Sequence, residues 1–216
     1  MKRPQYYTGE ILKKVLPKFC KGKVVDVGSG RGKYKDLITK YCSSYTTVDN
    51  MSSDFQFEQH PFKPDVISDV ASMPFQDGDF DTVICTEVLE HVEDPFKLMK
   101  EISRILKTGG YAIFSSGWAA PYHKEPKDYW RFSLDGYEVL CRNSGLKIKE
   151  AHKQGGFFSL LFYFISRSID LNTKKVKAIK AFLGRVNILF EKIAEKMDKF
   201  NKTDDAIGHL IVAQKL

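Results

Sequence analysis

The sequence predicts a single α/β domain built around a doubly wound sheet, and three observations support this. The length of 216 residues suits one domain. Short β-rich runs alternate with helical patterns, and the first run ends in a cluster of glycines. Such alternation predicts mainly parallel strands joined by right-handed crossovers, with ligands bound at the carboxyl ends of the strands.

The predicted strands are short apolar runs of the kind that a parallel sheet buries on both faces. In chain order they cover 23–27, 45–48, 65–67, 81–85, 111–114, 146–151 and 206–213. Helices are predicted over 34–41, 95–107 and 133–143. Pro95 suits the first turn of its helix, because its missing N–H is not needed there, and Ser133 is a suitable N-cap.

The chain divides into four parts: an N-terminal helical segment (1–21), a core (22–153), a helical insertion (154–203) and a final strand (204–216). The insertion holds an aromatic stretch and then a helix candidate whose apolar residues recur every three or four positions: Val176, Ile179, Leu183, Val186, Phe190, Ile193, Met197 and Phe200. This spacing predicts one apolar stripe. Packing of the stripe on its own domain or on the preceding aromatic helix is the favoured interpretation. A homodimer seam and a peripheral membrane contact through 157–202 are the alternatives.

The net charge of +7 is concentrated in one part of the chain. Segment 167–202 holds ten Lys and Arg against four Asp and Glu, so it carries +6 by itself. This pattern predicts a local contact with phosphate or an anionic surface and argues against a nucleic-acid partner.

Four widely spaced cysteines and the lack of a signal-peptide core predict a soluble, cytoplasmic protein with free thiols.

The most informative segment is the turn after the first strand, where 24–32 read Val-Val-Asp-Val-Gly-Ser-Gly-Arg-Gly. Glycines at alternate positions permit unusual dihedrals and let a ligand approach the backbone, although a tight turn alone would also use them. The spacing differs from the Gly-x-Gly-x-x-Gly of dinucleotide-binding folds. Asp26, just before the glycines, favours a cationic ligand over a pyrophosphate.

Acidic residues follow the next two strands. Asp49 closes the second strand, where a carboxylate can accept both hydroxyls of a ribose. Asp69 follows the third, where it can accept a hydrogen bond from an exocyclic amine, and Val70 can offer its N–H to a ring nitrogen. These positions all fall at the carboxyl edge of the predicted sheet, so they predict a nucleoside site.

Together these motifs resemble those of the class I S-adenosylmethionine-dependent methyltransferases, in particular the type 11 group. The resemblance covers 22–153 and resumes at 206–214, and its further motifs are 48–49, 68–75, 79–83, 87–92 (Glu-Val-Leu-Glu-His-Val), 106–111 and 128–132 (Asp-Tyr-Trp-Arg-Phe). It implies a Rossmann-like, seven-stranded sheet whose last strand is antiparallel. It also implies S-adenosyl-L-methionine as the cofactor.

The resemblance further implies a set of cofactor-binding residues. Asp26 and the glycine turn would face the methionine part, Asp49 the ribose, and Asp69 with Val70 the adenine, while Glu87 would lie beside the cofactor. The expected set is Asp26, Gly28, Ser29, Gly30, Gly32, Asp49, Asn50, Asp69, Val70 and Glu87.

Methyl transfer requires alignment of the acceptor with the sulfonium carbon and, for a hydroxyl acceptor, removal of its proton. The long loop after the fifth strand, 115–132, should overhang the cofactor. Within it, His123 is the expected base because it titrates near neutrality. Glu87 and Asp128 are further catalytic candidates, although Asp128 could instead pair with Arg131 to hold the loop.

A metal site is an alternative. Ubiquinone-pathway O-methyltransferases and small-RNA 3′-terminal methyltransferases look similar at a Glu-x-x-Glu-His run that holds a divalent ion. Here the run is Glu87, Glu90 and His91, with His123 as a fourth ligand, a donor set that suits an ion able to lower a hydroxyl pKa. Because many type 11 relatives carry the run without metal, we expect none.

The function expected from the sequence is methyl transfer to a small-molecule or glycan-type acceptor, through a hydroxyl. The alternatives are a membrane- or lipid-associated factor that uses the basic C-terminal segment, and an RNA methyltransferase. An NAD-dependent oxidoreductase fits worst because the glycine spacing is wrong.

Overall fold

The protein is built on a seven-stranded mixed sheet, and the computed structural model describes residues 4–50, 62–123, 127–173, 190 and 192–216. The strands are β1 Lys23–Val27, β2 Ser44–Asp49, β3 Val66–Ile67, β4 Phe80–Thr86, β5 Leu106–Gly117, β6 Leu146–Gln154 and β7 Gly208–Lys215. They lie in the order β3-β2-β1-β4-β5-β7-β6. The pairs from β3 to β5 are parallel, whereas β7 runs antiparallel to both β5 and β6. The predicted doubly wound sheet with an antiparallel last strand is therefore confirmed.

Several helices accompany these strands in the described part of the chain, and residues 192–198 are helical as well. They are α1 Pro4–Phe19, α2 Lys35–Ile38, α3 Pro95–Ile105, α4 Leu134–Asn143 and α5 Phe157–Thr173. The Asp94 side chain accepts a bond from the Lys97 N–H and caps α3, which begins with Pro95 as predicted. Ser133 caps α4 by accepting from the Gly136 N–H.

The sheet buries both faces, because alternate residues of its central strands enter different cores. Val25 and Val83 pack on one side with side chains of α3 and α4: Leu98, Ile102, Tyr137 and Leu140. Val24 and Ile84 pack on the other side with side chains of α1: Ile11, Leu12, Val15 and Leu16. Burial on both faces agrees with the continuous apolar runs of the predicted strands. The carboxyl ends of the strands lie between the two helical layers.

Element ends differ from prediction in two places. The predicted helix over 34–41 is shorter, at Lys35–Ile38, and the helix predicted to run through 107 ends at Ile105. Residue Leu106 already belongs to β5, since it pairs with Phe80 of β4. Gly109 and Gly110, which follow the predicted end of that helix in the sequence, thus lie inside β5. A Cβ on Gly110 would lie 2.9 Å from the Asp81 carbonyl oxygen, so glycine is needed where the strand shifts register.

The C-terminal apolar stripe is exposed where it is described. Val176, Ile179, Leu183 and Val186 lie outside the described residues, whereas the other four members are exposed: Phe190, Ile193, Met197 and Phe200. In this part Phe190 nevertheless stacks on Phe162 of α5, and packing of the stripe as a whole stays a prediction. Among the residues that the structure describes, no helix is both long and apolar enough to cross a membrane.

Candidate active site

The glycine-rich turn lies at the carboxyl end of β1. Gly28, Gly30 and Gly32 all have φ values in the left-handed region, at 68°, 52° and 64°. A Cβ on Gly28 would overlap the Val88 side chain, whereas a Cβ on Gly30 would meet no atom within 4 Å. The turn therefore needs glycine for its backbone conformation, and at Gly30 its surface is open to a ligand.

The end of β2 is tied to this turn by Asp49. Its Oδ2 accepts the Gly30 N–H at 2.9 Å, and the Gly28 and Ser29 N–H groups donate to the Val48 carbonyl. The structure thus places the carboxylate expected to bind a ribose directly beside the glycines. The Ser29 Oγ is buried and has no hydrogen-bond partner among the described residues. A buried hydroxyl in that state is suited to a ligand that bonds it.

Asp26 points into the protein. Its side chain is 4% exposed and accepts the Tyr45 hydroxyl at 2.6 Å. Burial raises the pKa of Asp26 to about 7, against the Tyr45 bond, which lowers it. Tyr45 could not be predicted as the partner, because it lies nineteen positions away on another strand and no local pattern links the two residues.

The residues expected to bind adenine lie after β3, at the same edge as Asp49. Asp69 is exposed and its Oδ1 accepts the Ala71 N–H at 2.9 Å, so it closes a turn of its own. Val70 is buried in the core on the α3 side of the sheet. Asn50 is exposed and follows Asp49 directly. These placements bring the predicted nucleoside residues to one edge, while the contacts of each with a cofactor remain predictions.

Glu87 has an unusual backbone conformation, with φ at 58°, the one positive value outside glycine among the described residues. Such a conformation costs about 1–3 kcal/mol and is typical of functional sites. Its Oε1 accepts bonds from Ser115 Oγ at 2.5 Å, Gln154 Nε2 at 2.7 Å and Thr8 Oγ1 at 3.3 Å. These three donors come from β5, β6 and α1, and none was predicted from the sequence.

In the loop after β5, Asp128 is fully engaged. Both its oxygens accept from the Arg131 guanidinium, at 2.5 and 2.7 Å, and Oδ2 also accepts the His123 N–H at 2.9 Å. Although burial opposes it, the Arg131 guanidinium holds the pKa of Asp128 below its usual value. This geometry favours the interpretation in which Asp128 holds the loop.

His123 is fixed by the same loop. Its Nδ1 lies 3.1 Å from the Pro121 carbonyl oxygen and 3.4 Å from the Asp128 Oδ2. A backbone carbonyl accepts only from a protonated ring nitrogen, so Nδ1 carries the hydrogen and Nε2 is the basic nitrogen.

Three of the four residues of the alternative metal site lie together. One ligand atom from each of Glu90, His91 and His123 lies within 4.8 Å of the others, and the two imidazole rings are 5.0 Å apart. Glu90 is 1% exposed, its Oε2 has no hydrogen-bond partner in the described part of the chain, and burial raises its pKa to about 8. Glu87 is not in this group, since its carboxylate is turned toward Ser115.

Aromatic residues of the loop fasten it to the segment after β4. The Trp130 Nε1 donates to the Val92 carbonyl at 3.0 Å, and the Tyr129 hydroxyl donates to Glu93 at 2.8 Å. Both rings remain partly exposed, which is consistent with a wall beside the site.

Comparison with known proteins identifies similar sequences. Residues 25–114 match a family model described as a methyltransferase domain. The ubiquinone biosynthesis O-methyltransferase of Paracidovorax citrulli is 32% identical over 102 residues, which are 44% of this chain and 43% of that protein. The chain spans about half the length of the curated relatives it matches.

Two solved structures share the fold. The cyclase SpnF superimposes with a TM-score of 0.62 at 15% identity, over 96% of this chain and 80% of the cyclase. Phosphoethanolamine N-methyltransferase 2 of Haemonchus contortus, in complex with S-adenosyl-L-methionine, has a TM-score of 0.57 at 18% identity, over 95% of this chain and 51% of that protein. At such identities the likeness establishes the fold alone, and activity has to be argued from the site.

Proposed function

We propose that this protein transfers a methyl group from S-adenosyl-L-methionine to a hydroxyl of a small molecule, because residues 25–114 match a family model described as a methyltransferase domain. The acceptor hydroxyl could also belong to a glycan-type molecule. The observation that carries the proposal is the junction of β1 and β2, where the Gly30 N–H and the Asp49 carboxylate meet at the carboxyl edge of the sheet. Ligands of open α/β sheets bind at this edge.

The residues of this junction fit the cofactor. Asp49 would accept the ribose hydroxyls, and its bond to Gly30 would hold the carboxylate in place. The unpartnered Ser29 hydroxyl and the open surface at Gly30 would receive the methionine part. Asp69 and Val70 would bind the adenine. The bound cofactor supplies an electrophilic methyl group, so the protein has to position the acceptor and exclude water.

His123 would remove the acceptor proton. Its Nδ1 is held by the Pro121 carbonyl, which leaves Nε2 as the nitrogen that would take the proton. Asp128, bonded to Arg131 and to the His123 N–H, would fix the part of the loop that carries the imidazole. Asp128 would then act as a positioning residue. Glu87 would lie beside the cofactor, held by Thr8, Ser115 and Gln154.

A second version of the site is favoured by the cluster of Glu90, His91 and His123. One carboxylate and two imidazoles suit a divalent ion of borderline hardness, and the buried, unpartnered Glu90 Oε2 could be one of its ligands. Such an ion would lower the pKa of an acceptor hydroxyl. His123 cannot be both ligand and base through the same nitrogen, so the two versions exclude each other.

Calorimetry with S-adenosylhomocysteine tests the proposal directly. We expect one binding site per chain, and the absence of any binding heat across several temperatures would overturn the proposed function. Elemental analysis of the purified protein, together with a chelator titration of activity against a panel of hydroxylated acceptors, separates the two versions.

A further inference from the structure

The solvent face of α5 is apolar. Leu161 and Ile165 are each 48% exposed, and Phe157 and Phe164 are exposed on the same face. No charged residue occurs between 157 and 166. A surface helix ordinarily carries charged residues on its solvent face. The opposite face of α5 is already used, because Leu160 and Tyr163 pack against Ile207 and other residues of the core: Tyr7, Trp118 and Ala119.

A second segment is fastened beside α5. The Asp198 carboxylate accepts the N–H groups of Gly156, Phe158 and Ser159 at 3.1, 2.8 and 3.1 Å, so it caps the start of α5 from some forty residues away. The rings of Phe162 and Phe190 stack with centroids 5.7 Å apart. These contacts hold the segment 190–202 against the helix.

This second segment is also apolar toward solvent. Residues 192–198 are helical, and the exposed apolar side chains of the segment are Phe190, Ile193, Met197 and Phe200, the last of them 80% exposed. Side chains at these spacings lie on one face of a helix. Since Phe190 stacks on Phe162 of α5, the two segments are neighbours, and their eight large exposed apolar side chains make up the apolar face.

A row of lysines borders the apolar face. Lys192, Lys196 and Lys199 are exposed and, at about 100° per residue, project into one sector of roughly 60° that adjoins the apolar stripe. Lys202 is exposed beyond them. Of the acidic residues of this segment, Glu195 and Asp198 are half-buried, Asp198 is turned to the α5 backbone, and Glu191 lies outside the described residues. The border of the apolar face is therefore cationic.

We propose that the apolar face and its lysine border bind the surface of an anionic lipid bilayer. Apolar side chains next to lysines are the pattern of helices that lie in the membrane interface. The charge complements anionic headgroups, to which each nearby lysine adds about fivefold in affinity. A two-fold dimer built on this face would bring the lysine rows of both copies into one interface, since the same patch is used twice. Like charges would then oppose that dimer.

Vesicle flotation of the full chain tests this proposal. We expect binding to phosphatidylcholine vesicles that contain phosphatidylglycerol, weaker binding without it, and release at raised salt. Replacing Lys196 and Lys199 by Glu should weaken binding to the anionic vesicles by more than about tenfold. The matched control is Lys147→Glu with Lys149→Glu on β6, two exposed lysines away from the apolar face, and it should bind as the wild type.

A second pair of variants tests the apolar contribution. Leu161→Ser with Phe164→Ser should lower binding by about tenfold or more, because both side chains would enter the interface. Thermal melting and S-adenosylhomocysteine affinity equal to those of the wild type would show that the variants are folded. Absence of wild-type binding to anionic vesicles would overturn the proposal, as would unchanged binding by both variant pairs. A dimer in sedimentation equilibrium that the Leu161 and Phe164 changes dissociate would also overturn it, and would assign the face to a second copy.

Discussion

The Nε2 of Gln154 lies 2.7 Å from the Oε1 of Glu87, although 67 residues separate the two in the chain. Gln154 is the last residue of β6, and its amide also donates to the Thr8 hydroxyl of α1. Opposite Gln154 on β7 stands Gly208, where a Cβ would overlap the Gln154 side chain. Gly208 thus leaves space for the Gln154 amide at the antiparallel end of the sheet. This amide holds the Glu87 carboxylate in the candidate active site.

We expect Gln154→Leu to destabilise the protein and to lower the rate of methyl transfer. Loss of the amide leaves the Glu87 carboxylate without one of its donors, at a cost of about 1–3 kcal/mol in the free energy of unfolding. Urea unfolding measures that cost. Gly208→Ala should give a similar loss by displacing the amide, whereas the exposed Lys149→Ala on the same strand should change little. If Gln154→Leu and Gly208→Ala both keep the stability and the kcat of the wild type, Gln154 does not position Glu87.

Asp49→Ala should weaken S-adenosylhomocysteine binding by roughly 10- to 100-fold. The change removes the expected acceptor of the ribose hydroxyls and also leaves the Gly30 N–H without its partner. Calorimetry measures the affinity. Glu138→Ala, an exposed acid on α4, serves as the control and should bind as the wild type. If Asp49→Ala and Glu138→Ala bind S-adenosylhomocysteine equally well, Asp49 is not part of the cofactor site.

Because of Asp26, the free energy of unfolding should fall as the pH rises from about 4 to about 7. Burial raises the pKa of Asp26 in the folded protein from 3.8 to about 7. Across that range the unfolded chain has released the proton while the folded chain still binds it, so the free energy of unfolding falls with pH and levels off above 7. Asp26→Asn carries no such proton and should lack this fall.

Chemical denaturation of both proteins between pH 4 and pH 8 tests this sign. The advantage of Asp26→Asn over the wild type should grow with pH, by up to about 4 kcal/mol. Asp135→Asn, at an exposed position of α4, is the control for a general carboxylate effect. A difference that stays constant with pH would mean that Asp26 is ionised in the folded protein throughout.

His123→Gln should lower kcat by about 100-fold or more, because proton removal contributes that much to general-base catalysis. The affinity for S-adenosylhomocysteine should not change. Tyr122→Phe, in the same loop and exposed, is the control and should keep its activity. A chelator that abolishes wild-type activity, with a bound divalent metal found by elemental analysis, would instead assign His123 to a metal site with Glu90 and His91.

The glycine turn and the acids at the strand ends could be predicted because their signals are local. Left-handed dihedrals call for glycine at Gly28 and Gly30, and a carboxylate that ends a parallel strand lies at the ligand edge whatever surrounds it. The helix end at Ile105 could not be predicted. A glycine pair normally marks the end of a helix, and only pairing with β4 and β7 draws that pair into a strand.

The sequence by itself determined the order of strands and helices, the glycine-rich turn and the position of Asp49, since each depends on residues that are neighbours in the chain. The tertiary structure alone decided that Thr8, Ser115 and Gln154 surround Glu87, that Asp26 bonds to Tyr45, and that the described members of the apolar stripe are exposed. The physical reason is that these contacts join elements far apart in sequence. They depend on the β5-β7-β6 order and on how the helices pack, which periodicity and motif spacing do not encode.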